Sequence, residues 1–150
     1  MTFRAFIVED SSTIRDNLID TLKELARIEP VGTADTEHEA KRWLAAHDWD
    51  LAIIDLFLRV GSGLNVLEAL RRRQPHQKIV VLSNHSSRDV RWRCAQLGAD
   101  AVFDKSTELE ALVDYCARQQ RDVQQDAPPA ARPAPARATA PATALPAAPA

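Results

Sequence analysis

The sequence is poor in the residues that would build several kinds of protein. It has two cysteines, Cys94 and Cys116, too few for a disulfide framework. Both fall on apolar positions of predicted helices, the pattern of reduced, buried thiols in a cytoplasmic chain. No apolar run approaches the roughly 20 residues of a membrane span, and acidic residues appear too early for a secretory signal. Net charge is only −2, so nothing at this level points to nucleic acid or an anionic membrane as a partner. His38, His47, His76 and His85 show no ligand spacing with either cysteine, which argues against zinc chemistry.

What is present is an ordinary globular balance, 45% hydrophobic and 27% charged over 150 residues, enough for one sizeable core. Five apolar runs alternate with helical patterns. The first, Phe3 to Val8, ends in the acidic pair Glu9 and Asp10, and Ser11 and Ser12 follow as N-cap residues. Ile14, Leu18, Leu22 and Leu25 then space a helix to about Arg27, and Val31 to Ala34 is a short second strand. Thr36 and Glu39 fit a capping box for a helix that turns Ala40, Trp43 and Leu44 inward.

The chain is organised around the next stretch. Leu51 to Ile54 is wholly apolar, as in a strand buried on both faces of a parallel sheet, and Asp55 follows at once. A carboxylate at the carboxyl end of a central strand suits a site better than a core, since ligands of open α/β sheets collect there. A third helix runs from Leu64 to Arg73, with Arg71, Arg72 and Arg73 expected as a solvated helix end. Lys78 to Leu82 ends at Ser83, and a helix over Ser87 to Leu97 stops at Gly98. Trp92 and Arg91 are expected on the outer side of that helix. Ala101 to Phe103 leads into Asp104 and Lys105, and Thr107 with Glu110 marks a second capping box before a last helix that fades near Arg121.

From Ala127 to Ala150, twelve of 24 residues are Ala and seven are Pro. Such a segment cannot bury enough surface to offset its ordering entropy. The expected organisation is one domain over 1–122 and a disordered Ala/Pro-rich tail over 123–150, with no output domain to follow. Five strand–helix units in about 122 residues imply an α/β three-layer sandwich around a parallel sheet, and are too few for an eight-fold barrel.

In such a sheet Glu9, Asp10, Asp55, Ser83 and Lys105 all reach the same edge. Three close carboxylates repel one another and call for a hard divalent cation, for which oxygen ligands suit Mg²⁺. Asp55, ionised at neutral pH without a helper base, is a competent nucleophile towards a phosphoryl group. Lys105 and the Ser83 hydroxyl are available to neutralise phosphoryl charge. A flavin-binding protein of similar topology is disfavoured, because Glu9 and Asp10 after the first strand would repel the anion.

These residues resemble the receiver domain of two-component response regulators, of the single-domain, chemotaxis-regulator-like kind. The resemblance covers roughly Phe3 to Arg121 and rests on Glu9–Asp10, Asp55 within Asp-Leu-Phe-Leu, Gly63 eight residues on, Ser83, Gly98-Ala99-Asp100 and Lys105. It implies a flavodoxin-like (βα)5 fold with sheet order 2-1-3-4-5. It also implies that Asp55 takes a phosphoryl group from the phosphohistidine of a sensor histidine kinase or histidine phosphotransfer protein. Asp10, Asp55 and the Phe57 carbonyl would ligate Mg²⁺, with Glu9 acting through water, while Ser83 and Lys105 would contact the phosphoryl group. The chain would then be a phosphorelay switch rather than an enzyme, catalysing only its own phosphorylation and slow dephosphorylation. It would act in the cytoplasm on a protein partner through helix four, strand five and helix five, with no direct nucleic-acid or membrane contact. The rival reading is a phosphorylation-independent adaptor on the same fold.

Three positions depart from the family pattern. Ser106 stands where a proline usually follows the lysine, and a trans bond is expected there. Val102 stands where the switch aromatic usually sits, and Phe103, one place late, should point to the opposite face and pack against a helix. Arg59 replaces the usual proline in the loop after the acceptor.

Overall fold

Each apolar run becomes a parallel strand because the connections between runs cross the sheet as helices. The computed structural model describes residues 3–84 and 87–125. Its strands are β1 (Ala5–Val8), β2 (Pro30–Ala34), β3 (Leu51–Asp55), β4 (Lys78–Ser83) and β5 (Ala101–Asp104). Its helices are α1 (Ser12–Thr21), α2 (Glu37–Ala46), α3 (Gly63–Ala69), α4 (Arg88–Gln96) and α5 (Leu109–Gln125). The strands pair in the order β2-β1-β3-β4-β5, all parallel, as the resemblance implies.

Strand side chains alternate between faces, so the sheet carries two cores. Phe6, Val8, Ala52, Ile54, Ile79, Val81 and Val102 pack with α2, α3 and α4 through Leu44, Leu67 and Cys94. Ala5, Ile7, Leu51, Ile53, Val80 and Leu82 pack with α1 and α5 through Leu18, Leu112 and Cys116. Phe103 joins this second core, its ring edge-on to Tyr115 at 5.9 Å, as the alternation requires. Cys94 and Cys116 are free and buried, one in each core; burial pushes the Cys94 thiol up to about 11 and the Cys116 thiol up to about 12. No helix among the described residues is long and apolar enough to cross a membrane.

Several expected details shift. Beyond α1 the helix widens into a π-turn over Leu22–Ala26, closed by Arg27 at φ 57°. The wider turn moves the buried stripe along by a residue, so Leu25 is 65% exposed and Ala26 lies inside. Of the three arginines, Arg71 and Arg72 are exposed just past α3, which stops at Ala69, but Arg73 is not part of a solvated helix end and reaches back across the sheet edge. It donates to the carbonyls of Gln77 (2.7 Å) and Gly98 (2.8 Å) and pairs with Asp100 at 2.9 Å. The same Asp100 oxygen accepts from the Ile79 N–H at 2.8 Å, so this pair braces the edge opposite the acidic residues. Nor does Glu110 reach back ahead of α5. There Asp104 accepts from the N–H groups of Ser106 and Thr107, and Glu108 accepts from Asp104 N–H. The Lys105–Ser106 bond is trans. With no proline between Pro75 and Pro128, α5 continues past the expected fade near Arg121 to Gln125. Residues 126–150, which hold most of the expected tail, lie outside the described residues, as does His85.

Gly63 opens α3 directly against the end of β3. A Cβ there would sit 2.2 Å from the Asp55 carbonyl oxygen and 2.7 Å from Leu56 Cα, both backbone atoms that cannot swing away. Helix propensity alone would favour alanine by about 1 kcal/mol. The clash reverses the sign: Gly63→Ala is expected to cost about 2 kcal/mol in urea unfolding. A variant as stable as the parent would remove this packing constraint.

Candidate functional site

The parallel register fixes which residues meet at the carboxyl edge. Val8 lies opposite Ile54, Asp55 opposite Leu82, and Ser83 opposite Asp104. The residues just beyond, Glu9, Asp10 and Lys105, therefore close around Asp55. Glu9 and Asp55 are buried, Asp10 is half-buried, and one carboxylate oxygen from each lies within 4.8 Å of the others. Lys105 Nζ donates to Asp55 Oδ2 at 2.9 Å and lies 3.0 Å from Glu9 Oε1. Ser83 is fully buried at the end of neighbouring β4. The edge thus unites Glu9, Asp10, Asp55 and Lys105 in direct proximity, with Ser83 beside them in the sheet. Phe57 takes part through its main chain, its N–H donating to Asp55 Oδ1 at 3.1 Å while its ring is exposed.

Residues 5–117 match the family model described as the response regulator receiver domain. The chain belongs to this family. Among its relatives are protein-glutamate methylesterase/protein-glutamine glutaminase 1 of Rhodospirillum rubrum, 28% identical over 75% of this chain and 30% of that protein. The response regulator PilR of Pseudomonas aeruginosa is 28% identical over 76% of this chain and 25% of its own length. The chain thus spans a third or less of these two relatives. Among solved structures, the receiver domain of a Luxo repressor protein from Vibrio parahaemolyticus aligns with TM-score 0.73 at 22% identity, over 84% of this chain and 96% of that one. The receiver domain of NarL from Mycobacterium tuberculosis gives 0.67 at 24%, over 78% and 97%.

Charges in this receiver's edge are unevenly balanced: three carboxylates face one ammonium. Burial pushes Glu9 above the usual carboxylate range and the charge of Asp55 pushes it further, against the pull of Lys105 and the Ser11 N–H. Burial alone would lower Lys105, but its contacts with Asp55 and Glu9 outweigh that and raise it, keeping it an ammonium at neutral pH. Glu9 Oε2 accepts from Ser11 N–H at 3.0 Å. Glu9 Oε1 faces Lys105 as an ion pair without the direction of a hydrogen bond, and is a buried oxygen with no hydrogen-bond partner. Receiver domains bind Mg²⁺ at such an acidic pocket, and an all-oxygen donor set with an unsatisfied buried oxygen fits that ion.

Two features of the acceptor loop were hidden in the sequence. Arg59 N–H donates to Asp10 Oδ2, a bond that the usual proline, lacking an N–H, cannot make. Glu37, at the start of α2, clamps the far side of the loop: its Oε1 accepts from Ser62 N–H at 3.0 Å and Asn65 Nδ2 at 3.1 Å. Its own N–H donates to the Val60 carbonyl at 3.2 Å. Gly61, at φ 95°, lets the chain pass, since a Cβ there would lie 2.4 Å from Glu37 Cβ. The one sequence signal was the glycine; an acid opening a helix normally serves its own first turn.

Arg91 is another correction. It does not share an outer face with Trp92 but turns under α4 towards β5, donating to the Val102 carbonyl at 2.8 Å and to Glu108 at 2.9 Å. Trp92, 40% exposed, turns the other way, lining a groove with Phe57 and Leu64.

The raised Glu9 sets a sign. A carboxyl that holds its proton more tightly when folded contributes stability below its unfolded pKa, and that contribution is lost as pH rises through the folded value. Without divalent cations, Glu9→Gln is therefore expected to melt at or above wild type at pH 7, the gap closing in acid. Added Mg²⁺ is expected to raise the wild-type melting temperature, by about 2.7 kcal/mol of stability at a hundredfold excess over Kd, and Asp10→Ala is expected to lose most of that gain. Equal, tight calorimetric binding of Mg²⁺ by wild type and Asp10→Ala would be incompatible with this site.

Proposed function

We propose that this receiver is a phosphoacceptor switch in which Asp55 takes a phosphoryl group from the phosphohistidine of a sensor histidine kinase or histidine phosphotransfer protein. The observation that carries the reading is the Asp55 carboxylate held at 2.9 Å by the half-buried Lys105 ammonium, between two further acids. Asp55 is shielded from bulk water yet stands at the sheet edge where a donor can approach.

In the transfer, an Asp55 oxygen attacks phosphorus in line with the departing imidazole. The O–P bond forms as the P–N bond breaks, and its electron pair returns to the donor histidine nitrogen. Lys105 meets the charge on the phosphoryl oxygens, and the Ser83 hydroxyl donates to another. The Phe57 N–H keeps the second Asp55 oxygen from rotating into the path. Mg²⁺ would be held by Asp10, Asp55 and the Phe57 carbonyl, with Glu9 through water, and supplies charge neutralisation for the in-line displacement. Asp55 is consumed and regenerated by hydrolysis, so the chain acts on itself rather than turning over a substrate.

The downstream partner is a protein docking on the face formed by α4, β5 and α5. The longer relatives place an effector elsewhere in the same chain, which fits a receiver that signals through contact.

Incubation with acetyl phosphate or phosphoramidate and Mg²⁺ tests the reading. Wild type is expected to gain one base-labile phosphoryl mass, and Asp55→Asn none. The variant should melt at or above wild type, because an isosteric amide relieves crowding among the acids. A phosphoryl group carried by the Asp55→Asn protein would overturn the assignment; absence of label from wild type even with its cognate kinase would do the same.

A further inference from the structure

Between Asp55 and the outer face, the family's moving ring is missing. Val102 occupies that place, 4% exposed in the core under α4, and a β-branched side chain in a strand has little rotamer freedom. What does cross from α4 to β5 and α5 is Arg91. Its guanidinium, three-quarters covered, forks between two acceptors: Nη1 donates to the Val102 carbonyl at 2.8 Å and Nη2 to Glu108 Oε1 at 2.9 Å. The same Glu108 oxygen accepts from the Asp104 N–H at 2.8 Å. The next residue is Lys105, whose N–H donates to the Ser83 carbonyl at 2.9 Å and whose ammonium holds Asp55. The Glu108 carboxylate, the Asp104 main chain and the Lys105 residue therefore connect the Arg91 guanidinium to the acceptor.

We propose that Arg91 is the positioning residue that ties α4 to the β5–α5 junction, so that a change at Asp55 reaches the outer face through this fork rather than through a swinging aromatic. The inference rests on the phosphoacceptor reading above. A phosphoryl group on Asp55 draws on Ser83, which ends β4 and leads into α4, and on Lys105, which leads from β5 into α5. These two strand ends are linked to each other by their own main-chain bond, and the helices that follow them are linked by Arg91. A planar guanidinium fits two acceptors at fixed spacing and cannot keep both bonds when either acceptor moves relative to the other. Such a fork is a two-position element: α4 and the start of α5 either shift together or separate.

The test uses the full chain with Mg²⁺ and fluoroberyllate as the probe, read by ¹H–¹⁵N spectra of wild type, Arg91→Ala, Arg91→Lys and Glu108→Gln. Wild type is expected to show one set of shifts around Asp55, Ser83 and Lys105 and a second over α4 and residues 108–112. Arg91→Ala is expected to keep the first set while shifts over 108–112 shrink about threefold or more. Arg91→Lys, which reaches one acceptor at a time, should fall between, and Glu108→Gln, which keeps an acceptor oxygen, should stay near wild type. If Arg91→Ala folds poorly, Arg91→Lys carries the test, and shifts over 108–112 as large as wild type in that variant would overturn the proposal. Unchanged shifts over 108–112 in a folded Arg91→Ala protein that still shows the first set would overturn the proposal. Loss of the first set in wild type would instead bring down the phosphoacceptor reading, and this inference with it.

Discussion

Three carboxylates converge on a single ammonium at one end of the sheet, and the surroundings of the site follow from that imbalance. Two acids within 4.8 Å repel by an amount on the order of 3 kcal/mol even at an effective dielectric near 20. Lys105 answers for Asp55 and for part of Glu9, while Asp10 is met by a main-chain N–H. The fold therefore holds, ready-made, the electrostatic strain that a divalent cation relieves. Ligand affinity and fold stability are linked through the same few atoms.

Holding like charges together needs rigid support, and it comes from main chain as much as from side chains. Register in a parallel sheet aligns the strand ends, and Gly63 lets α3 sit against the Asp55 carbonyl. Glu37 and Gly61 fasten the acceptor loop to the start of α2, an attachment between segments far apart in sequence. At the opposite edge Arg73 and Asp100 join the turn before β4 to the turn before β5. Each end of the sheet thus has its own polar lock, and the apolar layers between them carry no charge.

The two-faced strands and the convergence of Glu9, Asp10, Asp55 and Lys105 were legible because they depend on periodicity and on parallel register, whereas the sheet order followed from the family resemblance. Short apolar runs ending in acids leave few other arrangements. What escaped the sequence was the polar wiring that spans distant segments. Nothing local marks Arg73 as a brace, Glu37 as a loop clamp or Arg91 as a bridge, since a charged residue on a helix normally faces water. The π-turn after α1 escaped for another reason: Leu22 and Leu25 fit a regular helix until one extra residue enters the turn, and only the burial of Ala26 and Ile28 reveals it. The second capping box failed because Asp104 and Glu108 offered the chain nearer partners.

The division of the core by the sheet has one more consequence. Each layer holds a single thiol, Cys94 under α4 and Cys116 under α5, both shut off from solvent and protonated at any physiological pH. A thiol in that state reacts only when its own helix lifts away. The protein therefore carries two natural clocks on opposite sides of one wall: the rate at which each cysteine is alkylated times the opening of α4 and of α5 separately, with no label added.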